Sequence, residues 1–204
     1  SYVRRVKETY DVIVSSHTIS NAAVASGAMS LAENYVLTRE AFEVYFDRLS
    51  ADGVIYFTRP EAQLPRLFST VREVMDARGI KDPARHVFAY RLAPAAADGP
   101  ARKSFVSFFL CKKSAFSDDE LAWIERLVSG GEMRVRDGAP AKTGTAVEDA
   151  KEILYSPLRP EQGGLFTELL TNKDLKALYV AQSFLFEPAT DDRPFFIQHT
   201  RCSS

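Results

Sequence analysis

Tyr10-Asp11-Val12-Ile13-Val14 and Val54-Ile55-Tyr56-Phe57 are the two stretches that decide the fold. Each is a short run of β-branched and aromatic residues, and between them lie a long small-residue loop and one amphipathic helix. Two apolar strands joined through a helix read as the middle of a parallel α/β sheet. The loop after the first strand then sits beyond a carboxyl end, where such sheets place a ligand. It ends in Glu33-Asn34-Tyr35. The first strand, Tyr10–Ser15, is apolar on successive residues, as expected for a strand covered on both faces.

Working outward, Thr38 N-caps a helix whose Phe42, Tyr45, Phe46 and Leu49 recur at the spacing of one helical face. Asp52-Gly53 is expected to turn the chain into the second strand, which Arg59-Pro60 closes. A longer helix is predicted from Glu61 to Arg78, with Leu64, Leu67, Phe68, Val71, Val74 and Met75 inward and Gly79 as its stop. Two strands follow, His86–Leu92 and Ser104–Lys112. Their flexible link at Ala93–Ala101 predicts an antiparallel pair. Ser117-Asp118-Asp119-Glu120 is a capping box opening a helix that carries Leu121, Trp123, Ile124, Leu127 and Val128. Beyond it come a strand candidate at Glu132–Arg136, a loop at Asp137–Thr145, and two short helices at Gly164–Thr171 and Asn172–Gln182. The finish, Phe184–Thr200, is extended and contains Thr190-Asp191-Asp192-Arg193-Pro194.

The composition excludes several classes. A chain of 204 residues, 46% hydrophobic and 26% charged, suffices for one core, or one domain with an appendage. A net charge of −1 with scattered Lys and Arg argues against nucleic acid. Cys111 and Cys202 make no disulfide framework, and a reducing cytoplasm is the default. No apolar run approaches the ~18 residues that cross a bilayer, and no signal peptide is evident. His17, His86 and His199 are not spaced as metal ligands.

Three groups could carry chemistry. Ser15, Ser16 and His17 follow the first strand; their bland alternative is a solvated loop. Glu33, Asn34 and Tyr35 offer a carboxylate, an amide and a phenol, or simply form a turn. Asp191, Asp192 and Arg193 could contact a substrate or make a salt-bridged surface turn. No glycine-rich phosphate loop follows a strand, and no nucleophile elbow is present. The residues alone give an α/β domain with a ligand loop and no complete catalytic set.

Several of these stretches together resemble the second half of a spermidine synthase-like domain. They are Tyr10–Val14, Ala28-Met29-Ser30-Leu31-Ala32-Glu33-Asn34-Tyr35, the Thr38–Leu49 helix and Gly53–Arg59. The similarity continues through Gly79-Ile80-Lys81-Asp82-Pro83-Ala84-Arg85-His86, Lys113-Ser114-Ala115-Phe116-Ser117 and Thr190-Asp191-Asp192-Arg193-Pro194-Phe195-Phe196. More narrowly, it is to bacterial proteins in which that domain is fused to membrane-spanning segments. The resemblance implies a partial Rossmann-type methyltransferase fold over residues 1–113: a mostly parallel sheet with an antiparallel final hairpin. A mainly helical extension, 114–204, would pack on it.

The resemblance also implies S-adenosylmethionine or its decarboxylated form as cofactor, and methyl or aminopropyl transfer to an amine or other small acceptor, as in polyamine biosynthesis. It sets Ser15, Ser16 and His17 against the cofactor, and Glu33, Asn34, Tyr35, Asp191, Asp192 and Arg193 against the substrate. The glycine loop of such folds is expected upstream of Ser1. Authentic spermidine synthases place an aspartate after this strand to help deprotonate the attacking amine. Here the matching position is Ser16, whose hydroxyl cannot take that proton near neutral pH without a neighbouring base. The catalytic candidates are therefore Ser16, His17 and Glu33. The alternative is a non-catalytic methyltransferase-like interaction module. Three further expectations follow: a homodimer through the edge of strand 10–15, membrane-spanning segments elsewhere in the full-length protein, and a location in the cytoplasm or on the cytoplasmic face of a membrane.

Overall fold

A computed structural model describes residues 7–16, 35–93, 106–130 and 150–194. Its elements are β1 (Tyr10–Ser15), α1 (Arg39–Arg48), β2 (Leu49–Pro60), α2 (Leu64–Ala77), β3 (Val87–Ala93), β4 (Val106–Lys112), α3 (Asp118–Val128), β5 (Ala150–Tyr155), α4 (Leu165–Thr171) and α5 (Leu175–Ala181). The five strands form one sheet in the order β1-β2-β4-β3-β5. β1 and β2 pair in parallel, whereas β4 is antiparallel to both β2 and β3. It follows that β1, β2 and β3 share one direction and β4, the return arm of the hairpin, lies between β2 and β3. This is an α/β sheet of the kind expected, a parallel pair with an antiparallel hairpin folded in beside it.

Alternate residues of the strands feed two cores. Ile13, Ile55, Cys111 and Val87 lie across one row, and Phe57, Phe109, Ala89 and Tyr155 across the next. Both rows belong to the main core, which also takes Phe42, Phe46, Leu64, Leu67, Phe68, Val71, Val74 and Met75 from α1 and α2. On the opposite face, α3 packs Leu121 and Val128 on Phe88 and Phe116.

Local chemistry explains the helix ends. Thr38 caps α1 by accepting from the Ala41 N–H, and α3 has the full Ser117/Glu120 capping box. After α2, Gly79 takes φ +72°. Its N–H donates to Asp76 O and that of Ile80 to Met75 O, at 3.0 Å each, the paired bonds of a Schellman stop.

Four expectations change. β2 begins at Leu49, directly from α1, so Asp52-Gly53 lies inside the strand rather than at a turn. The pairing with β1 jumps there from Tyr10↔Leu49 to Val12↔Val54. A Cβ on Gly53 would meet Leu49 Cδ2 and Tyr10 O, both at 2.9 Å, so this irregular crossing requires glycine. β1 is not covered on both faces: Val12 and Val14 are 57% and 62% exposed, and only Ile13 packs inward. Trp123 of α3 is likewise 57% exposed. β5, where no strand was expected, joins β3 antiparallel as an edge of the sheet. The strand candidate at Glu132–Arg136 and the loop at Asp137–Thr145 lie outside the described residues. No helix among the described residues is long and apolar enough to cross a membrane.

Candidate functional site

The carboxyl ends of β1 and β2 meet the amino end of α1, and the polar groups gather there. On β2, Arg59 shares the inward parity of Ile55 and Phe57, so its side chain is carried into the core and is only 6% exposed. Its Nη2 donates to Ser15 Oγ at 3.1 Å, and its guanidinium carbon lies 5.8 Å from the Phe57 ring centre. Burial pulls the guanidinium below its ordinary pKa, opposed by the nearby Tyr45. Tyr45 donates its hydroxyl proton to Val36 O at 3.0 Å. Burial pushes this phenol up to about 12, Arg59 acting in the other direction. At neutral pH the pair is a protonated guanidinium beside a neutral phenol.

Thr38 is the second centre. It is fully buried, and its hydroxyl caps α1 while donating to Asp191 Oδ1 at 2.7 Å. Tyr35 O lies 3.3 Å from the same oxygen. With one hydroxyl proton, the shorter, charge-assisted bond to the carboxylate is the one made. The turn around Asp191 is tied on by its backbone as well. Arg39 N donates to Ala189 O at 2.8 Å, Asp191 N to Glu40 Oε2 at 2.9 Å, and Arg193 N to Thr190 O at 2.9 Å.

The candidate residues therefore separate. Ser15 is fixed by Arg59, and Ser16 is exposed just beyond it. Tyr35 is 53% exposed and reaches Thr38 through its carbonyl. Asp191 is engaged with α1, whereas Asp192 and Arg193 face solvent. His17, Glu33 and Asn34 lie outside the described residues. Arg59, Tyr45 and Thr38 were not singled out for chemistry in the sequence. The signal for Arg59 was its period-two spacing from Ile55 and Phe57, which places a cation on the buried face.

Elsewhere the polar groups are structural. Lys112, on the other face, pairs with Glu120 at 2.6 Å, and His86 Nδ1 contacts Lys112 O at 3.1 Å. Cys111 is fully buried in an apolar setting that pushes its thiol pKa up, away from the reactive thiolate. Among the described residues no group of three or more His, Cys, Asp or Glu could hold a metal ion. A shallow hollow lined by Ile153, Tyr155, Ser156, Arg159, Gln162 and Gly163 lies beside β5, at the edge of the sheet opposite β1.

No family model matches the chain, and no curated protein matches it. Among solved structures it is similar to a probable spermidine synthase from Corynebacterium glutamicum ATCC 13032, with 19% sequence identity and a TM-score of 0.38. The match covers 78% of this chain and 48% of that one, so the chain spans about half of that structure's length.

Proposed function

We propose that this chain belongs to a spermidine synthase-like, S-adenosylmethionine-dependent transferase of the membrane-fused bacterial kind, moving a methyl or aminopropyl group to a small acceptor. One observation carries the reading. The segments most specific to the resemblance, around Tyr35 and around Asp191, meet at one side chain, Thr38, which is 153 residues from Asp191. Tyr45 ties this region toward the carboxyl end of β1: its hydroxyl reaches Val36 O, and its ring lies 6.0 Å from that of Phe57, the strand partner of Ser15. That is the end at which parallel strands bind ligands.

The donors present suit a polar ligand: Arg59 holds the Ser15 hydroxyl in place, and the Ser16 hydroxyl is open beyond it. The cofactor, in its carboxylated or decarboxylated form, supplies an electrophilic carbon attached to a sulfonium. Ser16 can orient an acceptor by hydrogen bonding, but the acceptor's proton needs a stronger base. His17 and Glu33 are the candidates for that role. Residues 1–113 would form the transferase half-domain and 114–204 its extension, and a second copy would pair along the edge of β1.

Calorimetric titration with S-adenosylmethionine and its decarboxylated form, on a protein extended upstream of Ser1, tests the reading. Saturable binding of either is expected. No heat from both would leave the second reading, a methyltransferase-like interaction module. That reading is favoured by the serine at position 16, where the transferase reading expects an aspartate.

A further inference from the structure

Residues 186–194 cross the amino ends of two helices. Arg66 Nε of α2 donates to Glu187 O at 2.7 Å, and Arg39 N of α1 donates to Ala189 O at 2.8 Å. The contacts at Asp191 are reciprocal. The hydroxyl of Thr38, the N-cap of α1, donates to the Asp191 carboxylate, and the Asp191 N–H donates to the Glu40 carboxylate in the first turn of α1. This is the logic of a capping box, closed between two distant segments instead of within one helix turn.

The two sides of this junction are unequal. Thr38 is fully buried, and α1 is anchored by Phe42 and Phe46 at 0% and 1% exposure. In the crossing segment Phe186, Ala189 and Pro194 are buried, but Thr190 and Asp191 are partly open and Asp192 and Arg193 are exposed. A segment held mainly by polar contacts, with few buried apolar side chains, opens at lower free energy than the core. The Thr38 hydroxyl also has a second acceptor at hand, Tyr35 O at 3.3 Å.

We infer that residues 187–193 are a latch on α1, which detaches as a unit while the sheet stays folded and switches the Thr38 hydroxyl from Asp191 to Tyr35 O. The latch resets the turn that leads into α1. On the functional reading above, which this inference extends, Asp191 and Thr38 are positioning residues for the ligand end of the sheet. They act through the Tyr35 turn rather than by touching a substrate.

Hydrogen–deuterium exchange on the full chain tests this with Asp191→Ala and Asp191→Asn. Losing a charge-assisted bond predicts about tenfold or more faster exchange over residues 35–42 in Asp191→Ala, with β2 and β4 unchanged. Asp191→Asn, which keeps an acceptor oxygen, recovers most of the protection. Unchanged exchange at 35–42, or an equal rise across β2 and β4, overturns the latch. So does failure of Asp191→Ala to fold, because a detachable segment cannot be required for folding. S-adenosylmethionine titration then separates the two claims. Binding to wild type about tenfold tighter than to Asp191→Ala supports the link to the site, and equal binding removes that link. Absence of binding to the upstream-extended wild type ends the functional reading, while exchange alone still decides the latch.

Discussion

The two faces of the sheet are made from neighbouring residues of the same strands, and they end in different environments. Ile55, Phe57, Phe109, Cys111, Val87 and Ala89 face α1 and α2, and each is 0% exposed. Their neighbours Val12, Val14, Val54, Tyr56, Phe108 and Leu110 face the other way. There Leu121 and Val128 of α3 close a core of four buried residues with Phe88 and Phe116. From Tyr90, which packs against that core, the second face continues as rings stacked on one another. Tyr90 and Phe108 lie 4.6 Å apart, and Phe108 and Tyr56 lie 6.0 Å apart. Alternation along a strand thus allots side chains to faces, but how deeply each face is buried depends on where the helices come to rest.

If stability resides on the first face, Phe68 is the place to break it. Its ring is fully buried and lies 5.3 Å from Phe109, 5.6 Å from Tyr155 and 4.6 Å from Phe166. Phe68→Ala should lower unfolding stability by about 3–5 kcal/mol, read from the urea midpoint. Phe108→Ala removes the same ring from the half-open face and should cost roughly half as much. Equal losses would mean that the two faces contribute alike.

The second face has its own electrostatic anchor, with a smaller expected effect. Lys112 is buried, at 8% side-chain exposure, against Glu120 at 44%. The bond to Lys112, then that from the Ser117 N–H, holds the Glu120 carboxyl below its ordinary pKa. A pKa lowered on folding contributes stability above the unfolded value, and that stability is lost as pH falls through the folded value. Glu120→Gln should therefore cost about 1–2 kcal/mol at neutral pH, discounted for the open side of the pair. As pH falls through the ordinary glutamate range and below it, the wild type should lose that margin and converge on the variant. A constant gap across this range would mean that the charge of the Glu120 carboxylate contributes nothing.

The helices were legible in the sequence because their signals are local. Thr38 and the Ser117–Glu120 box each act within one turn, and the Leu64–Met75 stripe repeats along a single helix. β5 was missed because Ala150–Tyr155 gains its strand identity from β3, more than 50 residues earlier, and not from its own alternation. Asp52-Gly53 read as a turn because glycine signals one. Here it admits the close approach of Tyr10 O and the Leu49 side chain, a tertiary fact. The site was half legible for the same reason. Ser15 and Asp191 stood out by type and position, whereas their pairing with Arg59, 44 residues away, and with Thr38, 153 residues away, forms only when distant segments meet.

The smallest expected effect is the sharpest test of the comparison. Val12 and Val14 belong to the most apolar run of β1, and a reading from sequence alone makes them core. Their exposure of 57% and 62% says otherwise. Replacing both with Thr keeps β-branching and strand propensity while removing apolar surface. The chain's stability should move by no more than about 0.5 kcal/mol, as at other open sites. Ile13→Ala, one residue away but packed against the main core, should cost clearly more. Concentration-dependent sedimentation of the same samples adds the assembly. A dimer built on the backbone edge of β1 survives both Thr substitutions, whereas one built on the valine side chains weakens with them. A loss of several kcal/mol from the double variant at dilutions where the chain is monomeric would show that this face is covered within one chain.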